Sequence, residues 1–251
     1  MKDRIITIFR KMVFVLINIV VNTVYRKKCL ICSDLICDYE EGYFCLKCKE
    51  KIRGKYLNIC EICSIELGNG SSICGQCEID PPPFRRHVSY TIYKDEMRKL
   101  ILLYKLSGME NLKYYISGLY KNVIDKNFKD DFDIIIPVPS DPGRKSSFKH
   151  VSEIARILSK YYGKKLSEDN LIKRHTTNRQ SSLNYNKRIK NLNNAFKLTN
   201  PEELRGKSVL LIDDVYTTGT TIKKCSHLLR KKSKKVYAVT LARSSNIFLD
   251  R

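Results

Sequence analysis

The sequence predicts an α/β protein, a parallel sheet with flanking helices, preceded by a small cysteine-rich domain. Two unbroken apolar runs predict the sheet, at residues 134–136 (Ile-Ile-Ile) and 209–212 (Val-Leu-Leu-Ile), because strands buried on both faces lack polar alternation. Nine of the ten cysteines fall between residues 29 and 77, which predicts the small domain. We expect three segments, at residues 1–25, 26–80 and 88–251.

Charge is the feature of composition that most restricts function. The chain has 251 residues, is 43% hydrophobic and carries a formal net charge of +21. Residues 88–251 hold 33 basic and 16 acidic side chains, so most of the excess lies in the predicted α/β domain. Such a field attracts phosphate-bearing ligands, nucleic acid or an anionic membrane surface.

The first 25 residues combine basic side chains with an apolar run of about ten residues at 12–21. That run is too short to span a bilayer. It also lacks the small-residue cleavage site of a signal peptide. We expect an amphipathic helix packed on the body of a cytoplasmic protein, with peripheral membrane contact as the alternative.

Four Cys-x-x-Cys pairs predict two structural zinc ions. Each pair presents two thiolates about one turn apart, and the separations of the pairs are those of zinc ribbons. Sequential sites are the simplest assignment, although the spacing also allows a cross-braced pairing and a disulfide framework. About sixty residues with few large apolar groups need such metal support to fold. Cys37 is left as a buried spare, and the predicted ligands are Cys29, Cys32, Cys45, Cys48, Cys60, Cys63, Cys74 and Cys77.

The next segment alternates predicted strands and helices. Residues 88–93 alternate like an edge strand, and 97–106 have the apolar period of a helix. Residues 133–139 form a strand that ends in prolines, 149–162 a helix, and 171–174 a short strand. The last strand is expected at 235–243.

Two loops after these strands carry anion-binding side chains. Ser140 and Arg144 follow the strand at 133–139, and free N–H groups with an arginine suit pyrophosphate. Lys173 and Arg174 begin a long polar stretch that also contains Arg179 and Arg188; those four cations could close over pyrophosphate, grip a nucleic-acid backbone or form an ordinary solvated surface. Ligands of such sheets bind outside the carboxyl ends of the strands, so these loops should face one crevice.

The strand at 209–212 leads into the most informative stretch of the chain. Asp213 and Asp214 end the strand, and a run of hydroxyls with one glycine then precedes a helix. A helix N-terminus with small residues seats a phosphate, and Gly219 allows a close backbone approach. Paired carboxylates suit a sugar diol or hydrated Mg²⁺.

That order of groups resembles the 5-phosphoribosyl-1-pyrophosphate (PRPP) loop of the type I phosphoribosyltransferases. The resemblance implies the type I phosphoribosyltransferase fold, Mg²⁺ bound with PRPP, and paired catalytic acids, Asp213 and Asp214, that hold the ribose hydroxyls. The implied PRPP-binding residues are Asp213, Asp214, Val215, Tyr216, Thr217, Thr218, Gly219, Thr220 and Thr221.

Across residues 29–243 the chain resembles the ComF/ComFC family. The resemblance rests on the cysteine pairs, the Ile-Pro-Val-Pro strand at 136–139, the segment from Arg174 to Leu183, and the PRPP loop, in this order. It implies PRPP and single-stranded DNA as partners, a role in DNA uptake for natural transformation, and partners in the uptake machinery. One segment departs from the family: Arg-Gly-Phe-Asn-Gln is replaced by residues 147–150, Ser-Phe-Lys-His.

Two other functions fit the same loop. A metabolic phosphoribosyltransferase would move ribose 5-phosphate from PRPP to a nitrogenous base, with cations stabilising the departing pyrophosphate. A binding-only protein would sense PRPP. The DNA-handling function is favoured because a nucleobase enzyme has no use for two zinc ribbons.

Overall fold

A computed structural model describes residues 12–13, 27–36, 42–53, 58–68, 70–128, 130–140, 150–174 and 195–245. The chain forms two compact units, Met1–Arg53 and Gly54–Arg251. The predictions for Cys37, for Arg144, for the polar stretch with Arg179 and Arg188, and for the N-terminal segment apart from residues 12–13 lie outside the described residues.

The N-terminal unit contains the first four-cysteine cluster. An antiparallel bridge between Lys28 and Leu35 closes a tight loop, and helix α1 follows at Leu46–Arg53. Phe44 and Ile52 are fully buried, and Ile31 and Ile36 are also among the buried apolar residues described in this unit.

The C-terminal unit is built on a five-stranded sheet of order β1-β7-β6-β2-β3, in which every neighbouring pair is parallel. A second sheet pairs β4 with β5 in antiparallel fashion. The predicted α/β class with a parallel sheet is therefore confirmed. The strands are β1 Arg86–Ile92, β2 Ile134–Pro137, β3 Lys165–Leu166, β4 Leu171–Lys173, β5 Phe196–Leu198, β6 Ser208–Tyr216 and β7 Lys235–Arg243.

Helices join these strands as parallel pairing requires. The described helices of this unit are α2 Gly75–Ile79, α3 Asp95–Leu106, α4 Leu112–Asn127, α5 His150–Tyr162 and α6 Thr220–Arg230, with a 3₁₀ turn at Pro201–Leu204. Among the described residues, no helix is both long and apolar enough to cross a membrane.

Strand β6 is the centre of the core and is longer than the sequence indicated. The side chains of Val209, Leu210, Leu211 and Ile212 are fully buried, as the apolar run predicted. The two acids do not end the strand, however, because Val215 still pairs with Ala242 and Tyr216 with Arg243 on β7. The acids thus stand on a hydrogen-bonded strand, which fixes their direction.

Candidate functional site

The paired acids lie at the carboxyl end of β6, beside a lysine. Lys105, near the end of α3, forms an ion pair with Asp214, and both side chains are about one quarter exposed. The Asp214 N–H donates to Oδ1 of Asp213 at 2.9 Å, and the buried Tyr120 hydroxyl donates to the Asp213 carbonyl at 2.5 Å. The Asp214 carboxylate is therefore held by Lys105, and Asp213 is held by hydrogen bonds to its side chain and its carbonyl.

Asp213 is the acid whose charge is most disfavoured. Burial and, next, the neighbouring Asp214 charge raise the pKa of Asp213 to about 8, against the opposing effects of the Asp214 N–H and of Lys105. A bound cation or a hydrogen-bond donor from a ligand would relieve this cost, which makes Asp213 a ready acceptor.

The loop after β6 turns sharply at Gly219 into α6. Gly219 has φ +73°, and a Cβ added there would lie 2.1 Å from the Tyr216 ring, so both backbone conformation and space require glycine. Thr218 and Thr220 are exposed, and their hydroxyls are 2.9 Å apart. The loop therefore presents hydroxyls and the N-terminus of an eleven-residue helix to solvent.

Tyr216 is buried, unlike the threonines that follow it in the loop. Its side chain is only 3% exposed and packs beneath Gly219, whereas Thr217 and Thr221 are exposed and Val215 is half-buried. The Tyr216 ring therefore shapes the loop from below.

A polar cleft of about 270 Å³ joins this loop to the end of β2. Five predicted site residues line it: Ser140, Lys173, Asp213, Asp214 and Thr221. Lys105, His150 and Ser152 also line it but had not been chosen as site residues from the sequence. Arg174 is exposed and does not line the cleft; its N–H donates to the Ala195 carbonyl at 2.9 Å.

The eight paired cysteines form two groups, in sequential rather than cross-braced order. Within each group the four sulfur atoms all lie within 4.8 Å of one another. Two sulfur pairs, Cys32–Cys45 and Cys63–Cys74, are separated by 3.7 Å. Four thiolates around one Zn²⁺ with bonds near ~2.3 Å would be about 3.8 Å apart, so both clusters fit a tetrahedral zinc ion. The clusters are Cys29, Cys32, Cys45, Cys48 and Cys60, Cys63, Cys74, Cys77.

Both clusters begin with the same loop, written Cys-x-Ile-Cys-Ser in the sequence. The first cysteines, Cys29 and Cys60, each donate an N–H to the carbonyl five residues on, at 2.8 Å. Ser33 and Ser64 each donate back to the first cysteine's carbonyl at 2.8 Å and have φ of +65° and +57°. The clusters are thus structural repeats, and the five-residue pattern is a signal from which the sequential grouping could have been found.

The sulfur atoms that open each repeat receive backbone N–H groups. Burial raises the pKa of Cys60, but hydrogen bonds from the N–H groups of Cys74, Cys63 and Ile62 lower it to about 7 overall. The equivalent hydrogen bonds lower the pKa of Cys29 to about 6 against its burial. N–H donors aimed at sulfur favour thiolate, which is the form that binds a metal ion.

A parallel sheet with paired acids and a threonine-glycine loop in one cleft defines a phosphoribosyltransferase-type domain. The family model described as "Phosphoribosyl transferase domain" matches residues 109–246, more than half of the chain. The chain therefore belongs to the phosphoribosyl transferase domain family.

Three similar proteins indicate a narrower family. The chain is 28% identical over 216 residues to Competence protein F of Haemophilus influenzae, covering 82% of this chain and 92% of the relative. It is 25% identical over 210 residues to Competence protein ComFC of Bacillus subtilis, covering 80% and 84%. DNA utilization protein YhgH of Salmonella typhi is 25% identical over 191 residues, covering 74% and 83%. These relatives and the two cysteine clusters confirm the resemblance to the ComF/ComFC family.

Proposed function

We propose that this chain binds PRPP together with Mg²⁺ in the cleft at the carboxyl end of β6. The observation that carries the proposal is the meeting of three groups in one cleft: Asp213 and Asp214, Thr221 from the hydroxyl-rich loop 217–221, and Lys105. Ribose hydroxyls need acceptors, the 5′-phosphate needs N–H and hydroxyl donors, and pyrophosphate needs cations.

Each group has a distinct role in this proposal. Asp213 and Asp214 accept hydrogen bonds from the ribose diol, and the N-terminus of α6 with Thr218 and Thr220 holds the 5′-phosphate. Lys105, Lys173 and Ser140 lie on the pyrophosphate side, with Arg144 and Arg174 as further predicted contributors there. Mg²⁺ supplies charge neutralisation for the pyrophosphate. The same arrangement serves as the binding half of a phosphoribosyl transfer.

Substitution of Lys105 tests the assignment of the cleft. We expect Lys105→Met to weaken PRPP binding about tenfold or more, because loss of a cation from a partly buried phosphate site removes a charge-assisted hydrogen bond. Lys99→Met, at an exposed position on the same helix, is the matched control and should bind like wild type. If both variants lost the same PRPP affinity, Lys105 would not contact PRPP and the assignment of the cleft would be wrong.

Two structural zinc ions belong to the same proposal. The sulfur geometry and the donors to the Cys29 and Cys60 sulfurs support them. Each repeat is a tight loop with little apolar content, and metal binding would supply its folding free energy.

Single-stranded DNA is the proposed macromolecular partner. Four exposed cations, Arg85, Arg230, Lys234 and Lys235, surround a depression of about 340 Å³ that Pro81, Pro82 and Pro83 also line. Clustered cations of this kind fit a phosphodiester backbone. Relatives named for competence and for DNA utilization support the choice. A cytoplasmic location, peripheral membrane contact and partners in a DNA-uptake machinery stay predictions.

Salt dependence tests the DNA assignment. Binding of a labelled oligothymidylate, followed by fluorescence anisotropy at several salt concentrations, should weaken steeply as salt rises. Arg230→Met/Lys234→Met should lower the slope of log K against log salt by about 1.4, since each phosphate contact to single strands contributes about 0.7. Arg98→Met/Lys99→Met makes the same charge change on exposed positions of α3 and should leave the slope unchanged. No binding, or equal slopes in all three proteins, would contradict the assignment.

A further inference from the structure

The second four-cysteine cluster packs directly on the sheet that carries the candidate site. Cys60, Cys63 and Cys77 belong to the same buried core as Tyr216 and Ile222. The backbone of the cluster is also tied to β1. The His87 N–H donates to the Ile62 carbonyl at 2.8 Å, and the Ser64 hydroxyl donates to the His87 carbonyl at 2.6 Å.

His87 is the side chain that joins this cluster to the sheet. It is fully buried, with Nδ1 3.0 Å from the Cys63 carbonyl and Nε2 3.0 Å from the Thr240 hydroxyl. Burial lowers its pKa to about 3, so the ring is neutral. A neutral ring whose Nδ1–H donates to a carbonyl must accept at Nε2, and Thr240 supplies the donor. The ring is therefore held at both nitrogens.

Tyr216 connects His87 to the hydroxyl-rich loop 217–221, the proposed phosphate loop. The centres of the His87 and Tyr216 rings are 4.3 Å apart with an interplanar angle of 33°. The far end of the Tyr216 ring fills the space that a Cβ of Gly219 would need. The chain of contacts thus runs from Cys63 through His87 and Tyr216 to the turn at Gly219.

A buried cation, Arg243, lies against the ring of Tyr216. Arg243 is 9% exposed, and its guanidinium carbon lies 4.3 Å from the centre of the Tyr216 ring. Among the described residues, its Nε and Nη1 have no hydrogen-bond partner. The Tyr216 ring that it contacts belongs to the same buried core as Cys60, Cys63 and Cys77. Four thiolates around Zn²⁺ carry a net charge of about −2, which is the counter-charge this guanidinium needs.

We infer that the second zinc cluster supports the phosphate loop, with Arg243 as its counter-ion and His87 and Tyr216 as the packed connection to Gly219. The inference rests on the proposed function only in naming PRPP as the ligand of that loop. His87, Tyr216 and Arg243 are positioning residues in this arrangement. Without the metal no bond holds the four sulfur atoms together, so the packed connection from Cys63 through His87 and Tyr216 to Gly219 weakens.

Hydrogen–deuterium exchange of the full-length, zinc-loaded chain tests the inference without depending on PRPP. Cys60→Ser/Cys63→Ser should raise the exchange rate of amides at residues 217–223 about tenfold and weaken PRPP binding by a similar factor. Cys29→Ser/Cys32→Ser removes equivalent ligands from the first cluster, which takes part in none of the contacts above, and should leave both quantities unchanged. Unchanged exchange at 217–223 after measured loss of the second zinc overturns the inference. If wild type fails to bind PRPP, the proposed function falls while the exchange result still decides this one.

A second variant covers the case in which the cysteine substitutions unfold the C-terminal unit. In the Cys29→Ser/Cys32→Ser background, Arg243→Met should speed zinc release to a chelator about tenfold or more, because outer-sphere partners contribute that much to metal affinity. Arg98→Met makes the same change at an exposed position and should release zinc at the parent rate. Equal release rates for the two variants contradict the role given to Arg243.

Discussion

Asp213 joins the chemistry of the site to the stability of the fold. Between pH 4 and 8 the folded protein keeps a proton on Asp213 that the unfolded chain, with its ordinary pKa of 3.8, has already released. The folded state therefore binds more protons, and stability falls as pH rises through this range. Asp213 therefore costs stability at neutral pH, which is consistent with the functional role proposed for it.

The first prediction follows from this decrease of stability with rising pH. Asp213→Asn should raise the melting temperature at pH 8.5 by about 3 °C, because a neutral amide avoids the cost of a buried charge and can still accept from the Asp214 N–H. At pH 4, where Asp213 is protonated in the folded state, wild type and variant should melt within about 1 °C of each other. Calorimetric melting curves at both pH values measure this. A variant that is less stable at pH 8.5 would mean that the carboxylate is stabilised by its surroundings.

Single residues also mark the limits of sequence-based prediction at this site. The acids and threonines were found because they follow one another along β6 and the next loop. Lys105 lies more than a hundred residues earlier, and only the folded chain brings it to Asp214. The support under Tyr216 likewise depends on His87 and Arg243, which come from two other strands. Sequence spacing does not report such distant contacts.

At the scale of elements, the turn from β6 to α6 is closely constrained by its neighbours. A strand that continues through the acids fixes their direction, and Gly219 must then reverse the chain within one residue over a buried ring. Loop, strand and helix therefore form one rigid element, at which we propose that the phosphate binds.

Two glycines with the same backbone conformation test this rigidity. Gly219→Ala should destabilise the fold by about 3 kcal/mol or more, because it adds steric overlap with Tyr216 to the strain of a left-handed residue. Gly206 has φ +71° and open space around its Cβ position, so Gly206→Ala should cost only about 1 kcal/mol. Denaturant unfolding of both variants measures the difference. Equal costs would show that the Tyr216 ring moves aside freely.

Elements with strong periodic patterns were predicted well, and the weaker ones were not. The buried strands were evident from their apolar runs. Helix α4 was missed, although its buried positions 112, 116, 119, 120, 123 and 124 follow a helical period, because tyrosines, lysines and Gly118 interrupt the apolar character of the segment. The short strands β3 and β5, of two and three residues, carry too few side chains for a pattern.

For the whole molecule, the boundary between the two compact units lies after Arg53, within the segment 26–80 that the sequence suggested as one domain. The cysteines form one continuous segment of the chain, but the contacts assign the first cluster to Met1–Arg53 and the second to Gly54–Arg251. The second cluster packs into the core of the sheet domain. Two copies of the same cysteine loop therefore belong to different compact units, and the second packs into the core of the sheet domain.

Three features of the whole molecule fit the proposal that the cleft at the end of β6 binds PRPP. Positive charge over the domain, the cations lining the cleft and the paired acids are each explained by a sugar that carries phosphate and pyrophosphate. No single one of these features would be sufficient.

Isothermal titration calorimetry of PRPP with Mg²⁺ tests this claim most directly. The zinc-loaded wild-type chain should bind PRPP, and Asp213→Asn/Asp214→Asn should lose about 100-fold or more in affinity, because amides replace both carboxyl groups that would accept hydrogen bonds from the ribose diol. Circular dichroism controls for folding of the variant. A folded, zinc-loaded wild-type protein that binds no PRPP, or a double variant that binds as tightly as wild type, would contradict the account.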